Sequence, residues 1–366
     1  PELEQTVNRA LALGRSGDPS KLLPLLYGRW SYLQTVGRIN ESRALAQQFL
    51  DLAGRQPATI GRLVGHRLLG SSLHMLGKMD EAYFHLTQAL ALFDERLHAG
   101  MAAIYGADLE VATLIQMATI EVMLGHDRDA DRHSDRAYAR AVELGHANTL
   151  AYCGTLRLEL LARGERVDEF AALLERQTAL VREHKLLLWA SQSDGHLGWL
   201  QLRRGDPVAA VASLLRAIDA CGATNFIMWR PLPWMWLGEA QAALGDIPAA
   251  EAAFAQSMAT VEATGCCWLL PELYRLRGGI TADAAAAGAS FGHALDLSAA
   301  HGSVLWVLQI ALDMLGQPRL AAWHGAALAA LAAAVDRLPE EEVSVPSPTL
   351  RRALDLLAPA ARRASA

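Results

Sequence analysis

A glycine that recurs at intervals of roughly 40 residues restricts the fold of this chain more than any other feature. In most cases a small residue follows the glycine five positions later, and runs with helical periodicity lie on both sides. The pairs are Gly37–Ser42, Gly77–Ala82, Gly125–Ala130, Gly205–Ala210, Gly245–Ala250 and Gly316–Ala321, while Gly164 keeps the interval with glutamate in the fifth place. The longer gap after Gly245 holds two units, one with a degenerate turn. The spacing therefore predicts eight units.

Each unit has the properties of a helical hairpin. Glycine ends a first helix because it adopts the left-handed C-cap conformation without a Cβ clash, and the small residue lets the second helix pack closely against the first. The second helices are amphipathic, as Ala82, Leu86 and Phe93 on one face illustrate. No segment alternates with period two over a useful length, so we expect no sheet. Because one hairpin cannot bury its apolar face alone, the hairpins should stack into an α-solenoid.

The predicted fold class is all-α: a right-handed α-solenoid of about eight tetratricopeptide-like helical hairpins around a concave groove. The units exceed the usual tetratricopeptide length of ~34 residues, which indicates longer helices. We expect the solenoid to span residues 1–325. Residues 326–366 are expected to form a terminal capping helix, a proline-containing linker and a short C-terminal helix with a tail.

Composition excludes several classes of protein. With 52% hydrophobic and 20% charged residues the chain is not disordered, and its net charge of −6 offers no basic face to nucleic acid. Four cysteines are too few for a disulfide framework. Residues 1–14 lack the pattern of a signal peptide, and no apolar run approaches the ~18 residues of a membrane span. We therefore predict a cytoplasmic protein without nucleic-acid or membrane partners. Because the chain begins with proline, we expect it to be a piece of a longer protein.

No residue pattern indicates catalysis, a cofactor or a metal. The chain has no G-x-x-x-x-G-K-[ST] phosphate loop, and His66 and His74 are too far apart for a helical zinc pair. The adjacent Cys266 and Cys267 lack the C-x-x-C spacing of redox and zinc sites. We interpret these cysteines as packing residues, with a reactive thiol as the alternative. The sequence therefore predicts no enzymatic activity and no cofactor.

Four stretches resemble one known family. They are "LLPLLYGRWSYLQTVGRINESRALAQQFLDLA" at 22–53, "LGKMDEAYFHLTQALALFDERLHAGMAAIYGADLEVA" at 76–112, "MWRPLPWMWLGEAQAALGD" at 228–246 and "VEATGCCWLLPELYRLRGG" at 261–279. Through these stretches the chain resembles the C-terminal tetratricopeptide region of large bacterial signalling proteins. The resemblance runs from the start of the chain to about residue 320. In that family a cyclase-type catalytic domain and an AAA-type ATPase domain precede the repeats. Cys266 and Cys267 depart from the family, which usually has charged or polar residues there.

A group of aromatic residues marks the first candidate binding site. Trp229, Trp234 and Trp236 crowd one first helix and the residues before it, with Arg230 among them. First helices line the concave groove of tetratricopeptide solenoids, where Trp and Arg can hold a ligand by stacking and cation–π contact. The alternative is packing of bulky aromatics between repeats.

The extra residues between the second and third units contain the second candidate, Tyr105 with Asp108. A long loop between repeats often carries function, although these residues could equally cap one hairpin.

Taken with the resemblance, these observations favour a non-catalytic sensor or protein-interaction module of a multidomain bacterial signalling ATPase linked to a cyclase. The groove would bind a partner protein, a peptide or a small effector, and the solenoid would contact upstream domains of the same chain. Two alternatives remain: a free-standing tetratricopeptide scaffold, and the effector-sensing domain of an ATP-dependent transcription activator, to whose sensor solenoid the repeats are similar in length.

Overall fold

The computed structural model describes residues 22–55 and 58–364 of the chain. Over these ranges the chain is helical throughout, with no β-strand. Residues 1–21, which include the segment predicted not to be a signal peptide and the start of the predicted solenoid, lie outside the described residues. Among the described helices, none is both long and apolar enough to cross a membrane.

Eight helical hairpins follow one another along the described chain. Hairpins 1–4 are α1 (Leu22–Thr35) with α2 (Ile39–Ala53), α3 (Thr59–Met75) with α4 (Met79–Ala91), α7 (Leu109–Leu124) with α8 (Asp127–Leu144), and α9 (Ala147–Arg163) with α10 (Val167–Glu183). Hairpins 5–8 are α11 (Leu187–Arg203) with α12 (Pro207–Ala223), α13 (Pro231–Ala243) with α14 (Ile247–Thr264), α15 (Leu270–Ile280) with α16 (Ala284–His301), and α17 (Val304–Leu315) with α18 (His324–Val335).

Shorter elements connect and follow these hairpins. Helices α5 (Glu95–His98) and α6 (Ala102–Tyr105) lie between hairpins 2 and 3, and α19 (Glu340–Ser344) and α20 (Pro348–Ala364) follow hairpin 8. Turns of 3₁₀ helix at Ile227–Trp229, Cys267–Leu269 and Pro318–Trp323 precede α13, α15 and α18. The prediction of an all-α, right-handed solenoid of about eight hairpins is confirmed.

The repeated glycines perform the predicted role at most turns. Those at hairpins 1, 2, 3, 5 and 6 are in the left-handed region, with φ between 74° and 81°. The small residue five positions later is fully buried in all five hairpins, because the two helices approach each other most closely there. The five buried residues are Ser42, Ala82, Ala130, Ala210 and Ala250.

Two units differ from the predicted spacing. At hairpin 4 the left-handed residue is Glu165, with φ 53°, so the buried fifth place falls on Phe170 and not on Glu169. At hairpin 8 Gly316 has helical dihedral angles, and the following 3₁₀ turn buries Leu320 while Ala321 stays exposed. In both units the backbone conformation of the turn changes which residue of the following segment is buried. The position of the glycine alone does not reveal this change.

The solenoid winds back upon itself, so that hairpins 1–3 lie against hairpins 6–8. Cβ atoms built on the three turn glycines would lie 2.4 Å from Thr264 (Gly37), 2.7 Å from His301 (Gly77) and 2.5 Å from Leu338 (Gly125). The Ser303 hydroxyl also donates to the carbonyl oxygen of Met123, 3.2 Å away. The groove expected from the sequence is therefore an interior space walled by both windings of the superhelix.

The elements after hairpin 8 also pack on the solenoid. A Glu342 carboxylate oxygen of α19 accepts a 3.1 Å hydrogen bond from the backbone N–H of Arg128, at the start of α8. Helix α20 packs against α17 and α18, with Leu350 and Ala353 buried. These contacts attach the C-terminal helices to hairpins 3 and 8.

Candidate functional site

A cavity of about 330 Å³ lies between the first helices of hairpins 1–6 and the segment before α15. Aromatic side chains form much of its wall: Tyr27, Trp30, Tyr152, Trp189, Trp229 and Trp268. The volume falls at the lower end of the range for small-molecule sites, about 300–1,000 Å³, and such sites also combine apolar walls with a few polar groups. The cavity is therefore the candidate functional site.

One wall is a cluster from hairpin 1, hairpin 2 and the short helix α6. The rings of Tyr27 and Tyr105 meet edge to face with centroids 5.1 Å apart, and the Tyr27 hydroxyl donates to the Tyr105 carbonyl oxygen. The Trp30 indole N–H donates to the Ser72 hydroxyl, 2.9 Å away. The guanidinium carbon of Arg67 lies 5.7 Å from the centroid of the Tyr27 ring. These contacts hold the wall in one arrangement before any ligand arrives.

Glu159 divides this cavity from a second, smaller pocket. One of its carboxylate oxygens accepts a 3.1 Å hydrogen bond from the Trp229 indole N–H, and the other lies 3.5 Å from the guanidinium of Arg163. Arg163 in turn lies 4.6 Å from the centroid of the Trp268 ring. Burial raises the pKa of Glu159, and the charge of Arg163 opposes this rise. The group links hairpin 4 to hairpins 6 and 7.

The second pocket, of about 140 Å³, is walled by charged side chains together with aromatic and aliphatic ones. Arg203 lies 3.2 Å from a carboxylate oxygen of Glu239, and Arg275 forms ion pairs with Glu272 at 2.6 Å and with Asp313. These bridges run from α11 through α13 and α15 to α17. Because each of these charges has a partner, we interpret the ion pairs that line this pocket as a structural network along the inner wall.

Several polar atoms in the wall of the larger cavity have no protein partner. Among the described residues, no group bonds to Nε2 of His74, Oε1 of Gln116, either amide atom of Gln192 or Nε of Arg67. All four side chains are at least nine-tenths buried. Buried polar groups are normally hydrogen-bonded, so a cluster of unpartnered ones around a cavity is typical of a ligand site.

The structure places the predicted site residues in different surroundings. Trp229 lines the larger cavity, as does Tyr105, and Trp236 lines the second pocket with its ring centroid 6.1 Å from that of Trp229. Trp234 is half-buried, and neither it nor Arg230 lines a described pocket.

Asp108, the remaining predicted residue, lies outside the cavity wall. It caps the start of α7 by accepting a 3.0 Å hydrogen bond from the backbone N–H of Val111. Its carboxylate also lies 3.0 Å from the guanidinium of Arg140. Asp108 therefore joins α7 to α8.

Sequence reasoning missed most of the wall. Tyr27, Trp30, Arg67, Tyr152 and Trp189 come from four different first helices, with only one or two on each. The signal available was a bulky or charged residue in a mostly buried first helix. That signal does not separate a cavity wall from ordinary core, since both require the same burial.

One of the two adjacent cysteines, Cys266, also lies at this wall. Cys266 is buried with its Sγ 3.8 Å from the Sδ of Met75, a contact between hairpins 7 and 2. Burial raises the pKa of the Cys266 thiol to about 12, which keeps it protonated. Cys267 is only partly buried. The surroundings of Cys266 agree with its interpretation as a packing residue.

The fold and site together define a helical-repeat solenoid of the tetratricopeptide type with an interior cavity. The crystal structure of a Rap protein complexed with competence and sporulation factor is similar over 94% of this chain and 98% of that chain, with a TM-score of 0.54 and 12% identity. The APC/C hetero-tetramer Cut9–Hcn1 is similar over 90% of this chain and 55% of that chain, with a TM-score of 0.52 and 16% identity.

A tetratricopeptide sensor protein of the signal-transduction ATPase class, PH0952 from Pyrococcus horikoshii, also aligns, with a TM-score of 0.44 and 14% identity over 90% of this chain and 54% of that chain. No protein-family model matches the chain, and no curated protein matches it. At these levels of identity the likeness establishes the fold.

Proposed function

We propose that this chain is a non-catalytic sensor and interaction module that binds a small effector in its interior cavity. The observation that carries the proposal is the aromatic cavity in which several buried polar atoms have no partner among the described residues. In tetratricopeptide solenoids the inner wall is a general ligand surface, and here residues of both windings of the superhelix line the cavity. The similar Rap protein is complexed with competence and sporulation factor, which supports a binding role for a solenoid of this type.

A small effector suits this cavity better than a folded partner. Hairpins 1–3 contact hairpins 6–8 at the turn glycines, which narrows the space left for a helix or strand of a partner. The volume of about 330 Å³ accommodates a metabolite or the end of a short peptide. Protein partners would instead contact the outer faces of the second helices or the ends of the solenoid.

The effector would act by favouring the closed superhelix. Tyr27 and Arg67 belong to hairpins 1 and 2, whereas Trp229 and Trp268 belong to hairpins 6 and 7. A ligand that touches both groups gains contacts only when the two windings are together, so it shifts the population toward the closed form. Neighbouring domains that contact either end of the solenoid would sense that shift.

The parent protein in this proposal is a multidomain bacterial signalling ATPase linked to a cyclase. The family resemblance of residues 22–53, 76–112, 228–246 and 261–279 supports this context. The free-standing scaffold and the sensor of a transcription activator are the alternatives. Sequencing the region upstream of Pro1 in the parent gene distinguishes them: ATPase and cyclase motifs support the proposal, and an adjacent start codon contradicts its multidomain part.

A cavity-filling variant tests the binding site. Gln192→Trp places an indole in the cavity wall without removing a hydrogen bond, since neither amide atom of Gln192 has a protein partner. Gln256→Trp, on the exposed face of α14, is the matched control. In a thermal-shift screen of metabolites and short peptides, ligands should stabilise the wild type and the control but not Gln192→Trp. Ligands that stabilise the wild type and both variants equally would place the binding site elsewhere. A screen in which no compound stabilises the wild type would favour the free-standing scaffold.

A further inference from the structure

We infer that the effector is an organic acid with an apolar or aromatic body, and that Arg67 binds its carboxylate. This inference rests on the proposed function and adds the chemical class of the ligand. The acid could be a small metabolite or the C-terminus of a short peptide, since both present the same carboxylate. Arg67 is not among the residues that sequence reasoning selected.

The charge of Arg67 has no counter-ion in the described part of the chain. Its guanidinium is permanently protonated, and the residue is only 4% exposed, in the middle of α3. No described residue forms an ion pair or a hydrogen bond with it. Buried charges in proteins are almost always paired. An unpaired guanidinium at a cavity wall is therefore a site for an anion.

The aromatic neighbours of Arg67 do not replace a counter-ion. The guanidinium carbon lies 5.7 Å from the centroid of the Tyr27 ring and 5.9 Å from that of Trp30. Such cation–π contacts stabilise the charge but accept no classical hydrogen bond from the five N–H donors of the fork. The donors remain available for a carboxylate, which matches them in geometry and can bind through both oxygens.

No carboxylate of the cavity wall competes for this position. Among the described residues of the wall Glu159 is the only acidic one, and its two oxygens already contact the Trp229 indole N–H and the guanidinium of Arg163. Burial lowers the pKa of His74 to about 3, so this neighbour is neutral at physiological pH. Arg67 is thus the one uncompensated charge among the described residues of the wall.

The rest of the wall specifies the body of the acid. The rings of Tyr152, Trp189 and Trp268 offer flat apolar surfaces, and Leu156 and Leu188 fill the space between them. The amide of Gln192 provides one donor and one acceptor that no described residue uses. An acid with a ring or branched chain and one further polar group would satisfy the wall.

The stability of the ligand-free protein separates a binding role from a structural one. If Arg67 exists to bind an anion, its unpaired charge destabilises the free protein, and Arg67→Met should raise the Tm. If Arg67 instead holds the fold through its aromatic contacts, the same change should lower the Tm. Arg62→Met, on the same helix but outside the cavity wall, is the matched control for the loss of an arginine whose Nε is buried without a partner among the described residues.

Paired ligands test the carboxylate directly. A panel of aromatic and branched aliphatic carboxylic acids, and of dipeptides with a free C-terminus, is titrated by calorimetry together with the carboxamide of each compound. We expect some acids to bind the wild type and the Arg62→Met variant, and to bind Arg67→Met at least about 30-fold more weakly, as for loss of a buried charge pair. The carboxamides should bind all three proteins weakly and equally. If the free carboxylic acids bind and the dipeptides do not, the effector is a small metabolite. If only the dipeptides bind, the effector is the C-terminus of a peptide.

The outcomes keep the two proposals apart. One outcome would be that neutral compounds bind and Gln192→Trp abolishes their binding, while acids bind no more tightly than their carboxamides and Arg67→Met does not change any affinity. In that case the cavity is a ligand site but the inference about carboxylates is wrong. If no compound binds and Arg67→Met lowers the Tm, both the inference and the small-effector proposal fail.

Discussion

Gly77 and His301 are in direct contact across the two windings of the superhelix. A Cβ on Gly77 would lie 2.7 Å from the His301 imidazole ring, and Gly77 has a φ of 74°. Only glycine satisfies both conditions without a shift, because the left-handed conformation disfavours a Cβ and the ring leaves no room for one. The same residue thus ends a helix within its repeat and permits contact between distant repeats.

Alanine substitutions separate these two roles. Gly205 has a φ of 80° at the turn of hairpin 5, but nothing lies within 4 Å of the Cβ it would gain. Gly205→Ala should therefore cost only the left-handed strain, about 1–2 kcal/mol of unfolding free energy. Gly77→Ala should cost about 1–3 kcal/mol more, as for an overpacked core. Urea denaturation measures the difference, and small-angle scattering should show expansion for Gly77→Ala alone. Equal losses in the two variants would mean that the windings do not touch.

Acidification should weaken the same contact. Burial and the charge of Lys78 lower the pKa of His301 to about 4, from 6.5 in the unfolded chain. The folded state therefore resists protonation, so stability is full above pH 6.5 and falls as the pH drops toward 4. Between pH 7 and pH 5 this group should remove about 2 kcal/mol.

Urea denaturation of His301→Gln at pH 7 and pH 5 checks the sign and the size of this loss of stability. The variant should lose about 2 kcal/mol less than the wild type between pH 7 and pH 5. His184→Gln, on the exposed end of hairpin 4, serves as the control and should keep the wild-type dependence. If His301→Gln retained the full pH dependence, His301 would not be buried neutral at the contact.

The local repeat was predictable from sequence, and the closure of the superhelix was not. The glycine and the small residue act within one hairpin, so their spacing reports that hairpin directly. The contact between Gly77 and His301 depends on the angle between successive hairpins, which accumulates over five repeats. No single interval in the sequence encodes that angle.

The candidate site shows the same limit. Trp229 was selected because aromatic residues crowd its segment, and Tyr105 because it lies in a long loop between repeats; both line the cavity. Arg67 was not selected, since an arginine in the helix "TIGRLVGHRLLGSSLHM" resembles an exposed charge until its burial is known. What distinguishes Arg67 is the lack of a partner, and only the three-dimensional arrangement shows this.

Gly195 controls the position of Trp229. A Cβ on Gly195 would lie 2.4 Å from the outer edge of the Trp229 indole, so Gly195→Ala should push that ring toward the cavity and weaken its hydrogen bond to Glu159. We expect a loss of about 1–3 kcal/mol in stability and weaker ligand binding. Gly292→Ala, in α16 with open space around the new Cβ, should instead stabilise the protein by about 0.5–1 kcal/mol. Thermal unfolding of both variants tests this, and stabilisation by Gly195→Ala would contradict the packing described.

Asp108 offers a test of structural against binding roles within the predicted site. Asp108→Ala removes the cap of α7 and one of the three carboxylates that pair with Arg140, while the ion pairs of Arg140 with Glu95 and Glu110 remain, so it should cost about 1–2 kcal/mol. Asp108→Asn keeps a capping oxygen and loses the charge, so its loss should be smaller. Because Asp108 does not line the cavity, neither variant should change the affinity of a cavity ligand at temperatures where the protein is folded. Denaturation measures the stability of each variant, and calorimetry on the same samples measures its ligand affinity. A lower affinity for Asp108→Asn without a loss of stability would show that Asp108 belongs to the binding site.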